Sequence, residues 1–294
     1  MKNVKYIMSV VLLLIIVNLV AGEYSNFFWQ VEKGDVVVSL CGSVHLMKPE
    51  YYPMREEIEQ AFESADALVL EIDLNKIDLN KIQELISSKG IYGEGESLES
   101  ELSAEYYEKL KSELADYQYE IESVKNQKPW YMTMTLSSVR VSALGYTAEG
   151  GTDLYFMLRA GDSKEILQLE TPELQFELLS SMADSLQIEY LQEIIDQRVE
   201  YNQQVEELMQ SWIDGDDESM YRLMNEELKQ NPKLAGFYDE LIRKRNLEMT
   251  NKIEKYLDTE GEREYFVVVG SGHFLGEEGI VNLLRERGYT VTRK

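Results

Sequence analysis

Hydrophobic positions form short continuous runs near both ends of the chain and helical stripes between them. The runs at 27–31 and 36–40 flank a Lys-Gly-Asp turn, which predicts a β-hairpin. The amphipathic stretch 54–64 predicts a helix, and the apolar run 67–72 predicts a buried strand after it. A strand, a helix and a strand in this order imply parallel pairing.

The middle of the chain is mainly helical in pattern. Helices are predicted at 103–114, 131–144, 154–160, 186–209, 220–229 and 237–257, with a strand at 164–170. Strand patterns return at 265–269 and 289–292, on either side of a helix at 280–287. We therefore predict an α/β fold, with a central, mostly parallel sheet from the N- and C-terminal segments and a large helical insertion at roughly 98–240. No Pro- or Ser-rich linker divides the chain, which favours a single domain over 27–294.

The first 22 residues have the pattern of an export segment. Lys2 and Lys5 precede an apolar run at 6–21, and small residues around Gly22 are typical of a cleavage site. This pattern predicts a signal peptide at 1–22 or, as the alternative, a retained N-terminal anchor. Either way the domain is expected to be extracytoplasmic, and to contact membrane only through this segment.

The net charge of the chain is −25, with 54 acidic against 29 basic side chains. Such a surface repels phosphate backbones, so we expect no nucleic-acid partner, and anionic lipid is a poor one. The single cysteine, Cys41, follows an apolar run; it excludes an internal disulfide and is expected to be a buried thiol.

The chain has two histidines, and each ends a similar stretch. Gly42-Ser43-Val44-His45 and Gly270-Ser271-Gly272-His273 both follow an apolar run, with a glycine three residues before the histidine. Sites in open α/β sheets form beyond the carboxyl ends of strands, so we expect the two histidines to meet there. The glycines are expected to let the backbone turn tightly. The alternative, two structural histidines in the core, fits the matched contexts less well.

Charged residues in buried patterns are the next candidates. Glu71 lies within an apolar strand pattern, and Glu170 ends another. A carboxylate in such a position is costly unless it is paired. Arg245 lies in the buried stripe of a helix, where a guanidinium needs a carboxylate such as Glu71 or Glu170. Asp153 is expected either to be an orienting carboxylate of the site or to cap the following helix. For Glu71 and Glu170 the alternative is a strand-end carboxylate in contact with solvent. For Arg245 the alternative is a snorkelling arginine whose guanidinium reaches solvent.

These residue types permit two kinds of hydrolytic chemistry. His45, His273 and Glu71 suffice to hold a divalent metal that leaves room for water. The same groups act without metal if a histidine and Glu71 form an acid–base pair and Arg245 stabilises an oxyanion. The sequence has no HExxH, Gly-x-Ser-x-Gly or phosphate-loop motif, and it does not separate the two alternatives.

The order and spacing of several short stretches resemble those of the TraB/GumN family, which includes the Tiki-type proteases. The stretches that carry this resemblance are Phe28-Trp29-Gln30-Val31, Gly42-Ser43-Val44-His45, Leu68-Val69-Leu70-Glu71-Ile72-Asp73, Lys128-Pro129-Trp130, Gly151-Thr152-Asp153, Leu169-Glu170-Thr171 with Gln175, Trp212 with Gly215-Asp216, Arg245-Asn246, Gly270-Ser271-Gly272-His273-Phe274-Leu275-Gly276, Gly279 and Gly288-Tyr289-Thr290-Val291. The resemblance covers nearly all of the chain after the export segment. One departure is Ser271-Gly272 before the second histidine.

The resemblance implies an α/β fold similar to that of erythromycin-esterase-like and haem-uptake-type proteins. It implies that His45, His273 and Glu71 belong to the site, and that a metal there is Mn²⁺ or Co²⁺ rather than zinc. Some relatives in the wider superfamily work by His and Glu without metal. Plasmid-type relatives are linked to shutting down peptide pheromones, which implies a peptide or protein substrate.

The sequence is therefore interpreted as that of an exported hydrolase, a metal-dependent peptidase, with His45, Glu71, Glu170, Arg245 and His273 in its site. Two alternatives are a metal-free His/Glu hydrolase acting on esters and a non-catalytic protein that binds and sequesters a peptide.

Overall fold

A computed structural model describes residues 27–230 and 232–294, so the predicted export segment at 1–22 lies outside the described residues. Within those two ranges we find no helix with the length and apolar content needed to cross a bilayer.

The core of the protein is a six-stranded mixed sheet. Its strands are β1 (Phe28–Lys33), β2 (Val36–Ser43), β3 (Ala67–Leu70), β4 (Glu165–Gln168), β5 (Arg263–Gly270) and β6 (Val291–Arg293). They lie in the order β4-β3-β5-β2-β1-β6. The four strands β4, β3, β5 and β2 are parallel, and β1 is antiparallel to both of its neighbours. The predicted mostly parallel α/β sheet and its N-terminal hairpin are confirmed.

Strand β5 comes from the C-terminal segment but lies in the middle of the sheet. It pairs with β2 over its whole length, up to Ser43 opposite Gly270, and with β3 up to Leu70 opposite Val268. β2 and β3 are thus parallel as predicted, but with β5 inserted between them. The carboxyl ends of three adjacent strands consequently meet at one edge of the sheet.

Fourteen α-helices surround this sheet in the described part of the chain, most of them between β3 and β5. They are α1 (Glu56–Ser64), α2 (Leu79–Leu85), α3 (Leu98–Glu101), α4 (Ala104–Asp116), α5 (Pro129–Ala143), α6 (Thr152–Ala160), α7 (Pro172–Ser180), α8 (Asp184–Asp196), α9 (Arg198–Asp214), α10 (Asp217–Tyr221), α11 (Glu227–Gln230), α12 (Ala235–Tyr238), α13 (Arg245–Leu257) and α14 (Ile280–Glu286). A π-helical segment, Asp239–Lys244, joins α12 to α13.

Local chemistry explains where several of these helices begin. Pro129 and Pro172 occupy the first turns of α5 and α7, where a missing N–H costs no hydrogen bond. The Thr171 hydroxyl accepts a hydrogen bond from the Leu174 N–H at the start of α7. Helix α7 therefore begins only three connecting residues after the end of β4, with Glu170 among them.

The single helix predicted at 186–209 is wrong, because the chain breaks at Gln197 between α8 and α9. The two halves bury their apolar faces in different places. Ile194 and Ile195 of α8 belong to a smaller hydrophobic cluster of the insertion, whereas Met209 and Trp212 of α9 belong to the main core against the sheet. A straight helix has one continuous apolar stripe, and here that stripe has to change direction.

Arg140 is the most deeply buried charge of the insertion. Its guanidinium donates hydrogen bonds to both carboxylate oxygens of Glu113, at 2.7 and 2.9 Å, and to the Ile194 carbonyl. Since an arginine stays charged when buried, this bidentate pair compensates both charges and ties α5 to α4 and α8.

Candidate active site

The parallel register of β2, β5 and β3 sets the geometry of the site. His45 follows β2 by two residues, His273 follows β5 by three, and Glu71 follows β3 directly. The strand predicted at 67–72 ends at Leu70, so Glu71 is the first residue beyond the strand rather than part of it. Residues that are far apart in sequence thus lie at one sheet edge, as the two matched stretches led us to expect.

Glu71 lies at the centre of this group, with 5% of its surface exposed. Its Oε1 accepts a hydrogen bond from the Gly270 N–H at 3.0 Å and lies 3.6 Å from Nε2 of His273. Its Oε2 lies 4.0 Å from Nε2 of His45 and 3.7 Å from Nη2 of Arg245. Both carboxylate oxygens therefore face nitrogen atoms of the site.

His45 is held by Asp153, the carboxylate that follows two glycines. Nδ1 of the imidazole lies 2.8 Å from Asp153 Oδ2, and the Ser43 hydroxyl donates to Asp153 Oδ1 at 3.1 Å. Asp153 therefore orients His45, one of its two predicted roles. Gly151 is required by space, because a Cβ there would lie 2.3 Å from the His45 carbonyl oxygen.

His273 is buried and is held by Asn246 of α13. The distance between His273 Nδ1 and Asn246 Oδ1 is 2.6 Å, and the Asn246 amide nitrogen donates to the Glu278 carbonyl at 2.8 Å. That second bond fixes the orientation of the amide, so its oxygen faces the imidazole. An amide oxygen only accepts, so Nδ1 of His273 carries the proton and Nε2 presents a lone pair to Glu71.

The glycines of the two stretches serve a different purpose from the one expected. Gly42 and Gly270 are not among the described glycines with a positive φ, so neither makes the tight turn that we predicted. A Cβ on Gly42 would lie 2.7 Å from the Phe27 Cβ and 2.8 Å from the Ser271 hydroxyl. A Cβ on Gly270 would lie 3.4 Å from Glu71 Oε1. Space therefore requires a glycine at position 42, whereas a Cβ at position 270 would make only an ordinary contact.

The environments of the two imidazoles move their pKa values in opposite directions. The charge of Asp153 and its hydrogen bond raise the pKa of His45 to about 9. Burial lowers the pKa of His273 to about 4. At neutral pH His45 is therefore an imidazolium and His273 a neutral imidazole, which gives two chemically similar residues different roles.

Glu71 is ionised in this setting. Burial alone would raise the pKa of Glu71, but interactions with His273, His45 and Arg245 outweigh it and lower this pKa. Because His273 is neutral at physiological pH, the positive charges that hold Glu71 as a carboxylate there are those of His45 and Arg245.

Arg245 projects from the first turn of α13 and has the carboxylate partner that its buried position requires. Its Nε and Nη2 donate to the two oxygens of Glu170, at 2.8 and 2.7 Å. Glu170 also accepts from Nε2 of Gln175 at 3.1 Å. Hydrogen bonding to Glu170 and the charge of Glu71 raise the pKa of Arg245, although burial opposes them. Glu170 thus lies behind Arg245 and orients its guanidinium toward Glu71.

A cavity of about 290 Å³ opens in front of His45 and Glu71, while His273 and Arg245 lie outside its lining. Its polar lining includes His45, Glu71, Asp153 and Gln175, and its apolar lining is formed by Ile72, Leu74, Ala148 and Leu154. A small number of convergent polar groups within an apolar wall is typical of a site that binds and orients a small part of a larger substrate.

Three contacts of this site were not predicted. The sequence pattern predicts no role for Asn246 beyond its place next to Arg245, although a fully buried asparagine needs a specific partner. The Trp212 indole donates to the Gly42 carbonyl, and the Asn225 amide donates to the Gly272 carbonyl, both at 3.0 Å. Each of these bonds ties a helix of the insertion to the backbone of a histidine-bearing segment, which only the tertiary fold brings together.

The Asp153→Asn variant is expected to lower the pKa of His45 from about 9 toward its ordinary value of 6.5, because the charge that raises it is removed. At pH 8 His45 should therefore be mostly protonated in the wild type and mostly neutral in the variant. An NMR titration of the metal-free protein measures this, since only two imidazoles need assignment. An unchanged His45 midpoint would contradict the role given to Asp153.

The sequence of the chain matches the model of the TraB/PrgY/gumN family over residues 27–293. The protein belongs to this family. The match covers every strand and helix described above, so the sheet edge with its two histidines lies within the family domain. The resemblance found in the sequence is confirmed.

Two relatives match most of the chain. "Uncharacterized protein YbaP" of Escherichia coli (strain K12) is 24% identical, over 84% of this chain and 87% of its own. "Metalloprotease TIKI1" of Xenopus tropicalis is also 24% identical, over 92% of this chain, which spans 61% of that protein's length. A shorter match, 36% identical over 55 residues, links the chain to "Metalloprotease TIKI homolog" of Nematostella vectensis. No solved structure matches significantly.

A divalent metal, which the names of the two TIKI relatives imply for those proteins, fits the donor types present here. Two imidazole Nε2 atoms and a carboxylate face one another, and each Nδ1 is held by an oxygen, as is usual for metal-binding histidines. In the conformation described, no group of three His, Cys, Asp or Glu side chains at 27–230 or 232–294 closes into a metal site. The residues therefore fit a divalent metal in the types of their donor atoms and in the fixed orientation of the two imidazoles.

Proposed function

We propose that this protein is a metal-dependent peptidase whose site consists of His45, Glu71 and His273, with Arg245 beside Glu71. The observation that carries the proposal is that both imidazoles turn Nε2 toward Glu71, 4.0 and 3.6 Å from its oxygens, while Nδ1 is held elsewhere. The metalloprotease names of its relatives support peptide hydrolysis rather than another reaction. The predicted export segment supports an extracytoplasmic site of action.

His45, His273 and Glu71 would hold the ion, and the TraB/GumN resemblance favours Mn²⁺ or Co²⁺. Such an ion supplies Lewis acidity, which polarises a carbonyl and makes water a better nucleophile. His45 has to lose its proton to become a ligand, so binding of the ion releases a proton near neutral pH.

The side chains around the ion have separable tasks. Arg245, oriented by Glu170, presents positive charge beside Glu71, where it can stabilise negative charge on the scissile carbonyl oxygen. Asp153 and Asn246 hold the two imidazoles in one orientation, so little reorganisation is needed during the reaction. Glu71 and Arg245 are buried, which strengthens the interaction between their charges, whereas His45 is exposed to solvent.

Metal content and peptide cleavage test the proposal together. The purified chain is expected to keep ~1 tightly bound divalent ion after dialysis, as one site of this kind holds one ion. Removal of the ion by a chelator should abolish cleavage of a peptide library, and Mn²⁺ or Co²⁺ should restore it. His45→Ala and His273→Ala should each lower metal affinity at least ~10-fold. Glu149→Gln, an exposed carboxylate change, controls for weak binding to the acidic surface.

A second candidate function is a metal-free hydrolase. It is favoured because the side chains of the site balance one another's charge. Glu71 already has His45 and Arg245 as cationic partners, so its charge is compensated by the chain's own residues. Cleavage of an ester by a protein that never binds metal would support this alternative. Peptide binding without turnover, even with metal supplied, would contradict both hydrolase proposals.

A further inference from the structure

The helical insertion contains a second cavity, separate from the one in front of Glu71. Its volume is about 230 Å³, and most of its surface is apolar. Helix α5 contributes Trp130 and Met134, and helix α7 contributes Leu179. Met182 follows α7, and the segment from α12 onward contributes Phe237 and Leu241.

This cavity has room for a large side chain. Apolar cavities of about 150 Å³ take up benzene-sized molecules, so one of 230 Å³ has room for an aromatic or long aliphatic group. It also reaches the protein surface, because Met134 lines it and is 43% exposed. A ligand can therefore enter without unfolding of the insertion.

Two helices connect the cavity to the candidate active site. On α7, Gln175 lines the site cavity and Leu179, one turn later on the same face and ~6 Å along the axis, lines the apolar cavity. On the approach to α13, the Leu241 carbonyl accepts a hydrogen bond from Nη1 of Arg245 at 3.1 Å. A wall residue of the cavity is thus in direct contact with the guanidinium beside Glu71.

One wall of the cavity is held rigidly. The Trp130 indole donates to the Lys89 carbonyl at 3.0 Å, and its ring packs edge-on against Phe176 at 6.1 Å between centroids. Phe176 follows Gln175 on α7, so the same helix fixes the Trp130 ring and lines the site cavity. A preformed wall lowers the entropy lost when an apolar group binds.

We propose that this cavity is a specificity subsite that takes an apolar side chain of the peptide substrate. The peptide bond to be cleaved then lies at Glu71, about two to four residues along an extended chain from the side chain in the cavity. The substrate class is a peptide with Leu, Met or an aromatic residue at one fixed distance from the cleaved bond. This inference rests on the proposed peptidase function, because it assigns the cavity to the same substrate.

A positional octapeptide library, with each position fixed in turn and products identified by mass spectrometry, tests the proposal. The wild type is expected to cleave peptides with Leu, Met or Phe at one position at least ~10-fold faster than peptides with Ser or Asp there, as loss of one buried apolar side chain implies. Leu179→Asp places a charge in the cavity wall and should reduce this preference to less than ~3-fold. Met134→Asp should act in the same way and is safer for folding, because Met134 is half exposed.

Leu174→Asp is the matched control, since it makes the same change on α7 at a position 40% exposed that does not line the cavity. It should retain the wild-type preference. A wild type without apolar preference, or a preference kept by both cavity variants, would overturn the proposal. Circular dichroism confirms that each variant is folded.

Binding to the Glu71→Gln protein separates this proposal from the peptidase function. The same library is passed over the immobilised variant, and retained peptides are expected to be enriched in the apolar residue. Enrichment that Leu179→Asp abolishes, without any cleavage by the wild type, would contradict the peptidase function but support the subsite. Cleavage without enrichment or preference would support the peptidase function and contradict the subsite.

Discussion

Glu71→Gln is expected to reduce peptide cleavage by roughly 10²–10⁴-fold, the range typical of removing a group that holds or transfers a proton at the reacting bond. Glutamine keeps the shape of the side chain, and its oxygen can still accept the hydrogen bond from the Gly270 N–H. It removes the negative charge that His45, His273 and Arg245 face. The measurement is kcat/KM on the best library peptide, with unfolding midpoints compared in urea.

Asp73→Asn is the matched control for this prediction. Asp73 is a second buried carboxylate two residues beyond Glu71, but its partners are the Asn75 N–H and Lys76 rather than the histidines. Asparagine can still cap the Asn75 N–H, so the replacement removes only the ion pair with exposed Lys76, should cost about 0–1 kcal/mol of stability and should leave kcat/KM within a few-fold. A Glu71→Gln protein with kcat/KM close to that of Asp73→Asn would refute the central role of Glu71.

Metal content in the Glu71→Gln protein also separates the two hydrolase proposals. If Glu71 is a metal ligand, the variant loses bound ion along with activity, because an amide oxygen is a weaker ligand for a divalent cation. If Glu71 is a general base in a metal-free enzyme, activity falls in a protein whose metal content was nil from the start. The same variant therefore gives different metal results under the two proposals.

Much of the sheet edge could be predicted because its signals are local. In this chain each apolar run before a Gly-x-x-His stretch forms a strand, and the glutamate at the end of a third apolar run is recognisable from its immediate neighbours. The central place of β5 could not be derived in this way. The position of β5 depends on which strands pair with it most favourably. Those strands are separated from β5 by some 190 residues of chain or more, and no local pattern encodes that choice.

The errors have similar causes. The break at Gln197 could not be predicted, because the helical period of the sequence continues through it. The chain bends there because the two helices pack into separate hydrophobic clusters. The prediction for Gly42 named an important position but gave the wrong reason for it. A side chain there is excluded by Phe27 and by Ser271, and Ser271 lies more than 200 residues away in the sequence. The role of Asn246 could not be predicted either, because it depends on a hydrogen bond to His273 that forms only in the folded protein.

Variants of the Arg245–Glu170 pair distinguish most clearly between an effect on stability and an effect on activity. Arg245→Met is expected to destabilise the fold by about 3–5 kcal/mol, because it leaves Glu170 buried without a cationic partner. The double variant Arg245→Met/Glu170→Met removes the stranded carboxylate as well. Its free energy of unfolding, measured in urea, should therefore exceed that of Arg245→Met by ~0.5–3 kcal/mol.

Activity should not follow stability in this pair of variants. Without Arg245, no guanidinium lies beside Glu71 to stabilise negative charge on the carbonyl oxygen, so the double variant should remain ~10²–10³-fold less active than wild type. Glu170→Met alone keeps the guanidinium but releases its orientation, and should retain more activity than either variant that lacks Arg245. If the double variant instead recovers activity together with stability, Arg245 serves only to neutralise Glu170, and the oxyanion role falls to the metal or to His45.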